Sequence, residues 1–171
     1  MIKLIGIVLI GISAAMIGYK MAGNMKQRIT LLDEISKILQ EISNEATYSM
    51  KTLPEIVYDI SKKDNSVCNR WLSNLWERLD TNKDAHFVNA WENSMECLTQ
   101  TTLKAEDIEL IKPLGRRIIN LNNDMLAGVI KNMVETIDVY NKYLKDEYRV
   151  KSGLYRKLGI LAGIFIIIIV I

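Results

Sequence analysis

Hydrophobic positions along this chain change their arrangement twice. Leu4 to Tyr19 is a run of sixteen residues without a charge, and Leu158 to Ile171 is a second run of fourteen. Between them, apolar residues recur every three or four positions among polar ones. A helix rises about 1.5 Å per residue, so the first run covers about 24 Å and the second about 21 Å, against a bilayer core of about 30 Å. The first reaches further if it continues through Met21 and Ala22 with Lys20 snorkelling to the headgroups. The second has no polar face from Ile164 to Ile171, which suits lipid better than a soluble core of this size. Two transmembrane helices are therefore expected, 1–23 and 158–171, around a folded segment, 24–157. A cleaved secretory signal is the other reading of the first run. Lys20, Lys26 and Arg28 follow that run at once and no small-x-small site closes it, which favours a retained anchor.

Within 24–157 the period is helical throughout. Ile29, Leu32, Ile35, Leu39, Ile42 and Ala46 make the first stripe, with Asp33, Glu34, Lys37, Glu41 and Glu45 falling mostly off it. Thr52-Leu53-Pro54-Glu55 then combines a Thr cap, a Glu three residues on and a Pro in the first turn. That signature starts a second helix, through Leu53, Ile56, Val57 and Ile60. Cys68, Trp71, Leu72, Leu75 and Leu79 mark a third; Phe87, Trp91, Met95 and Leu98 mark a fourth. The fifth reads through Ile108, Ile111, Leu114 and Ile118, and Pro113 inside it should kink or split it. In the sixth, Leu126, Ile130, Met133, Ile137, Tyr140 and Leu144 follow a near-heptad spacing, and the helix is expected to run from about Asn123 towards the second anchor. No stretch alternates with period two. The expected fold class is all-α, a bundle of about six helices between an N-terminal and a C-terminal transmembrane helix.

Charge adds an orientation. Lys20, Lys26 and Arg28 lie just inside the first apolar run, and Lys142, Lys145, Arg149, Lys151, Arg156 and Lys157 lie just inside the second, whereas the outer side offers only Lys3. By the positive-inside bias the middle segment is expected in the cytoplasm and the chain in the cell membrane as a multi-pass protein. That segment holds 20 Lys and Arg against 20 Asp and Glu, so it is formally neutral and nothing suggests a nucleic-acid surface. Cys68 and Cys97 are expected reduced and packed, with a disulfide between them as the alternative.

Candidate chemistry is sparse. His86 stands beside a helix start and reads as a surface or capping residue. No glycine-rich phosphate loop followed by Lys-Ser or Lys-Thr occurs, and Glu92 and Glu96 share a helix face without a His partner. Glu106, Asp107 and Glu109 suit an acidic first turn. The chain is therefore expected to be no enzyme, with no catalytic, cofactor-binding or metal-binding residues. Arg116-Arg117 is a candidate docking point for an acidic partner, with a solvated helix face as the plain alternative. Small residues four apart, Ala14, Gly18 and Ala22 in the first anchor and Gly159 and Gly163 in the second, form flat strips for close helix contact, either between the two anchors or with other subunits. Gly and Ala are common in membrane helices anyway, which is the plain reading there.

Several segments, taken in order, resemble one family. These are Met1-Ile2-Lys3-Leu4-Ile5-Gly6, the stretch from Glu45-Ala46-Thr47-Tyr48 to Thr52-Leu53-Pro54-Glu55, Ala90-Trp91-Glu92, and Lys157-Leu158-Gly159-Ile160-Leu161-Ala162-Gly163 before an aliphatic tail. Together they resemble the stage III sporulation protein AB family over essentially the whole chain. After Leu114-Gly115 the chain departs from that family's pattern, reading Ile118-Ile119-Asn120-Leu121-Asn122-Asn123-Asp124. The resemblance implies a component of the channel that endospore-forming bacteria assemble between mother cell and forespore, in the mother-cell membrane around the forespore. It also implies a bundle similar to the cytoplasmic domain of the inner-membrane platform proteins of type II secretion and type IV pilus machines. Such a platform is non-catalytic. Its implied partners are an ATPase like stage III sporulation protein AA, other membrane subunits of the channel and the lipid bilayer, with no nucleic acid. A two-anchor membrane sensor is the competing function, and its ligand domain would lie outside, against the inner-flank cations.

Overall fold

Each apolar stripe becomes a helix, and two of the six break where the chain's own chemistry interrupts the backbone ladder. The computed structural model describes residues 2–49, 51–64, 66–81, 86–119 and 121–170, without the side chains of 2–12, 14, 15, 156, 166, 167, 169 and 170. Among them are eight helices and no strand: α1 (Ile2–Tyr48), α2 (Leu53–Ser61), α3 (Val67–Asp80), α4 (Phe87–Ser94), α5 (Glu96–Thr99), α6 (Ala105–Ile111), α7 (Leu114–Arg117) and α8 (Asn123–Val170). The chain is all-α, as its periodicity requires.

Local signals set most of the boundaries. At the start of α2 the Glu55 carboxylate accepts from the Thr52 N–H at 2.7 Å and from its hydroxyl at 2.9 Å. Those two bonds, the backbone one first, hold the Glu55 carboxyl below its ordinary range. Ser66 caps α3 by accepting from the Asn69 N–H at 3.2 Å, and Asn122 caps α8 by accepting from the Met125 N–H at 2.9 Å. Pro113 has no N–H to give to the Glu109 carbonyl, and the fifth stripe divides there into α6 and α7. The fourth stripe divides at Met95 for a different reason. The Ser94 hydroxyl donates to the Trp91 carbonyl at 2.7 Å, and the Met95 N–H turns instead to the Glu92 carbonyl at 3.3 Å.

Two compact units divide the chain, one of 1–29 with 142–171 and one of 30–141. Both divisions fall inside α1 and α8, within the 24–157 segment marked out by the sequence. In the 30–141 unit, Leu32, Ile35, Leu39 and Ile42 of α1 are buried with Ile56 and Ile60 of α2 and Trp71, Leu72 and Leu75 of α3. Leu126, Ile130, Met133 and Ile137 of α8 are buried in it as well. α1 and α8 also meet through polar groups. Ser36 donates to Asp138 at 2.6 Å, Asn141 to Asp33 at 2.7 Å, and Ser43 to the Ala127 carbonyl at 3.1 Å. Positions rising along α1 meet positions falling along α8, so the pair is antiparallel with its register pinned at three levels.

The 1–29 and 142–171 unit has a different surface. Ala22 is buried, while Ile17, Leu161, Phe165 and Ile168 are exposed. Among the described residues no helix is long and apolar enough to cross a membrane. The expected N-terminal span falls largely on residues whose side chains lie outside the described set, and the C-terminal one does so in part.

At the centre of the 30–141 unit the Trp71 Nε1–H donates to the Ser94 hydroxyl at 3.0 Å, so Ser94 serves two partners at once. Ser94→Ala leaves that buried indole N–H without its acceptor. The expected loss is about 1–3 kcal/mol in urea unfolding followed by tryptophan fluorescence; an unchanged midpoint would show the bond to be incidental.

Candidate docking turn and helix contact

The two candidate arginines sit on α7, a single turn whose placement depends on a glycine. A Cβ on Gly115 would lie 2.4 Å from Cδ1 and 2.5 Å from Cγ of Trp91, far inside van der Waals contact. Only a residue without a side chain lets the α7 backbone press against the indole. Trp91 is itself fixed, meeting Trp71 edge to face at 5.1 Å between ring centres and stacking on Phe87 at 6.2 Å. Leu114 is buried beneath the turn, and Arg116 and Arg117 point outward, both exposed.

The structure separates the two cations. Arg116 gives Nε and Nη2 to Glu92 Oε1 at 3.2 and 2.9 Å. Lys112 reaches the other Glu92 oxygen at 3.7 Å and Glu109 at 3.7 Å. Glu92, read from sequence beside Glu96 as a weak metal-ligand candidate, is thus the anion of a surface ion-pair network. Arg117 has no ion pair among the described residues, and its guanidinium is the group that a carboxylate from elsewhere could take bidentately. Nothing in the sequence spacing marks the Glu92–Arg116 bond or the Gly115–Trp91 contact, because both join positions about one quarter of a bundle apart in the chain.

The small-residue positions lie in the 1–29 and 142–171 unit. A Cβ on Gly18 would fall 2.5 Å from the Tyr155 carbonyl oxygen and 3.2 Å from the Gly159 Cα. These are backbone atoms, so no side-chain rotation relieves the clash. Here α1 and α8 approach closely, with Ala22 and Gly163 also buried and Gly159 half-buried. The side chain of Ala14 lies outside the described residues.

Cys68 is buried and Cys97 half-buried, both as free thiols, and burial pushes both thiols up, Cys68 the further. His86 stands at the N-cap of α4, where its carbonyl accepts from the Asn89 and Ala90 N–H groups at 3.0 and 3.2 Å. Asp107 is buried and its carboxylate accepts from the Lys104 N–H at 2.7 Å, closing the start of α6. Among the described residues no group of three or more His, Cys, Asp or Glu could hold a metal ion.

The model of a family described as stage III sporulation protein AB matches residues 3–171. A solved structure described as stage III sporulation protein AB superposes with a TM-score of 0.63 at 18% identity, covering 72% of this chain and 97% of that one, which speaks to the fold alone. No curated protein matches the chain.

Both glycines can be tested directly. Gly115→Ala overfills the Trp91 contact and is expected to destabilise by about 1–3 kcal/mol in denaturant melts, with no change in charge to confuse the result. Gly18→Leu drives a side chain into the α8 backbone. In limited trypsin digestion of the full chain, cleavage after Arg149, Lys151 and Lys157 should quicken several-fold, and an unaltered rate would remove the close approach.

Proposed function

The chain belongs to the stage III sporulation protein AB family, and on that premise we propose that it is a non-catalytic platform subunit of the channel between mother cell and forespore. In this reading its apolar ends anchor it in the mother-cell membrane around the forespore, its central helices stand in the cytoplasm, and it docks a secretion-type ATPase like stage III sporulation protein AA. The observation that carries the reading is the helical layout: α1 and α8 each run without a break from an apolar terminal stretch into the bundle. In this reading the two helices link membrane partners to a docked motor without a catalytic group of their own.

Support for docking comes from the α7 turn. Gly115 and Trp91 hold it against the core, so Arg117 is offered from a backbone that loses little freedom when a partner binds. Arg116, already bonded to Glu92, contributes mainly by fixing the turn. The inner-flank cations and the formally neutral segment between them support a cytoplasmic orientation for the bundle.

The test is co-purification of the tagged full-length protein with the AA-like ATPase from sporulating cells. Arg117→Glu, which keeps the fold because the side chain is exposed, is expected to weaken capture about tenfold or more, as reversal of a charge at a docking contact does. Capture equal to wild type would move the docking surface elsewhere, and intact spore formation after gene deletion would end the channel assignment.

A further inference from the structure

Formal charge is divided between the two compact units far more sharply than the neutral 24–157 segment suggests. Of the 22 Lys and Arg and the 20 Asp and Glu, ten cations and two carboxylates fall in 1–29 with 142–171, leaving twelve and eighteen for 30–141. The first unit is therefore +8 and the second −6, which together make the +2 of the chain. Neutrality of the middle segment conceals this because its ends, 24–29 and 142–157, belong to the basic unit.

Within that unit Arg28 is buried, and the other cations whose side chains are described are exposed. Among its ion pairs are Glu147 with Lys151 and Asp146 with Arg149 at 4.0 Å. Lys20, Lys26, Lys142, Lys145 and Lys157 are exposed, and the Arg149 side chain is 82% exposed even so. Lys20 and Lys26 follow the first apolar run, and Lys151 and Lys157 precede the second, all within about 11 Å of it along the helix axis at about 1.5 Å per residue. That distance is close to one Debye length, about 8–10 Å in physiological salt. Exposed Tyr19, Met21, Leu154 and Leu158 are interleaved with these cations. Basic side chains mixed with exposed aromatic and aliphatic ones are the composition of a headgroup interface, whereas an acidic protein partner would not call for the apolar component.

We infer that the 1–29 and 142–171 unit is a basic collar that binds anionic phospholipid headgroups and concentrates such lipids around the protein. The inference rests on the membrane reading above but goes beyond it, since orientation by inner-flank charge requires no preference among lipids. The acidic 30–141 unit contributes no attraction to such a surface.

The experiment uses the full chain reconstituted in bilayers of equal parts phosphatidylglycerol and phosphatidylcholine, then extracted gently, with the lipids that remain bound measured by mass spectrometry. Bound phosphatidylglycerol is expected to exceed phosphatidylcholine severalfold in low salt and to fall towards equality in about 0.5 M salt, where the screening length shrinks to a few ångströms. In Lys20→Gln/Arg149→Gln/Lys157→Gln, with helical content checked by circular dichroism, the low-salt preference should fall severalfold, to near equality. Equal binding of the two lipids by the wild type, or a preference unchanged in the triple variant, overturns the collar. Flotation with pure phosphatidylcholine vesicles reports separately on membrane anchoring. A chain that fails to float there but keeps its phosphatidylglycerol preference loses the anchored reading and retains the collar.

Discussion

Burial of the Trp71–Trp91 pair constrains more of this structure than any other contact. Two indoles meeting edge to face at 5.1 Å fill a volume that no aliphatic side chain would fill in the same shape. Trp71 brings an N–H that needs an acceptor in the core, and Ser94 supplies it; the same hydroxyl then takes the Trp91 carbonyl and ends α4. Trp91 in turn leaves no room above its ring, so the next turn to cover it must present a glycine, and Gly115 does so. The break between α4 and α5 and the outward presentation of Arg117 follow from placing these rings.

Pairing of α1 with α8 adds what aliphatic burial cannot supply by itself. Leucine and isoleucine stripes slide past one another at modest cost, because their contacts are similar one turn up or down. Asp33 with Asn141, Ser36 with Asp138, and Ser43 with the Ala127 carbonyl are bonds that a shift of one turn would break together. Leaving those buried or half-buried groups unpaired is costly, so the polar contacts select one register.

Two surfaces of the described residues have opposite character. The α7 turn is small, held in place from beneath, and offers one guanidinium beside an existing ion-pair network, which suits recognition of a particular partner. The basic unit is broad, with its positive charge spread over two helices and mixed with exposed apolar side chains, which suits a fluid and repetitive ligand.

The sequence by itself determined the class of the fold, because a period of three to four apolar residues is a property of neighbouring positions. It also determined the Thr52–Glu55 start of α2, the division at Pro113 and the run of α8 from Asn123, since each is decided within four residues. Its family membership was legible in short segments kept in order. Only the tertiary structure decided that Ser94 would divide the fourth stripe, that Gly115 would lie on Trp91, that Arg116 would be taken by Glu92, and that Gly18 would meet the α8 backbone at Tyr155 and Gly159. It also placed the boundary between a basic and an acidic unit inside helices that show no break. The physical reason is range: caps and breakers act through bonds a few residues long, whereas the acceptor role of Ser94 towards Trp71 and the other contacts named join positions from about twenty to more than a hundred residues apart, which no local period encodes.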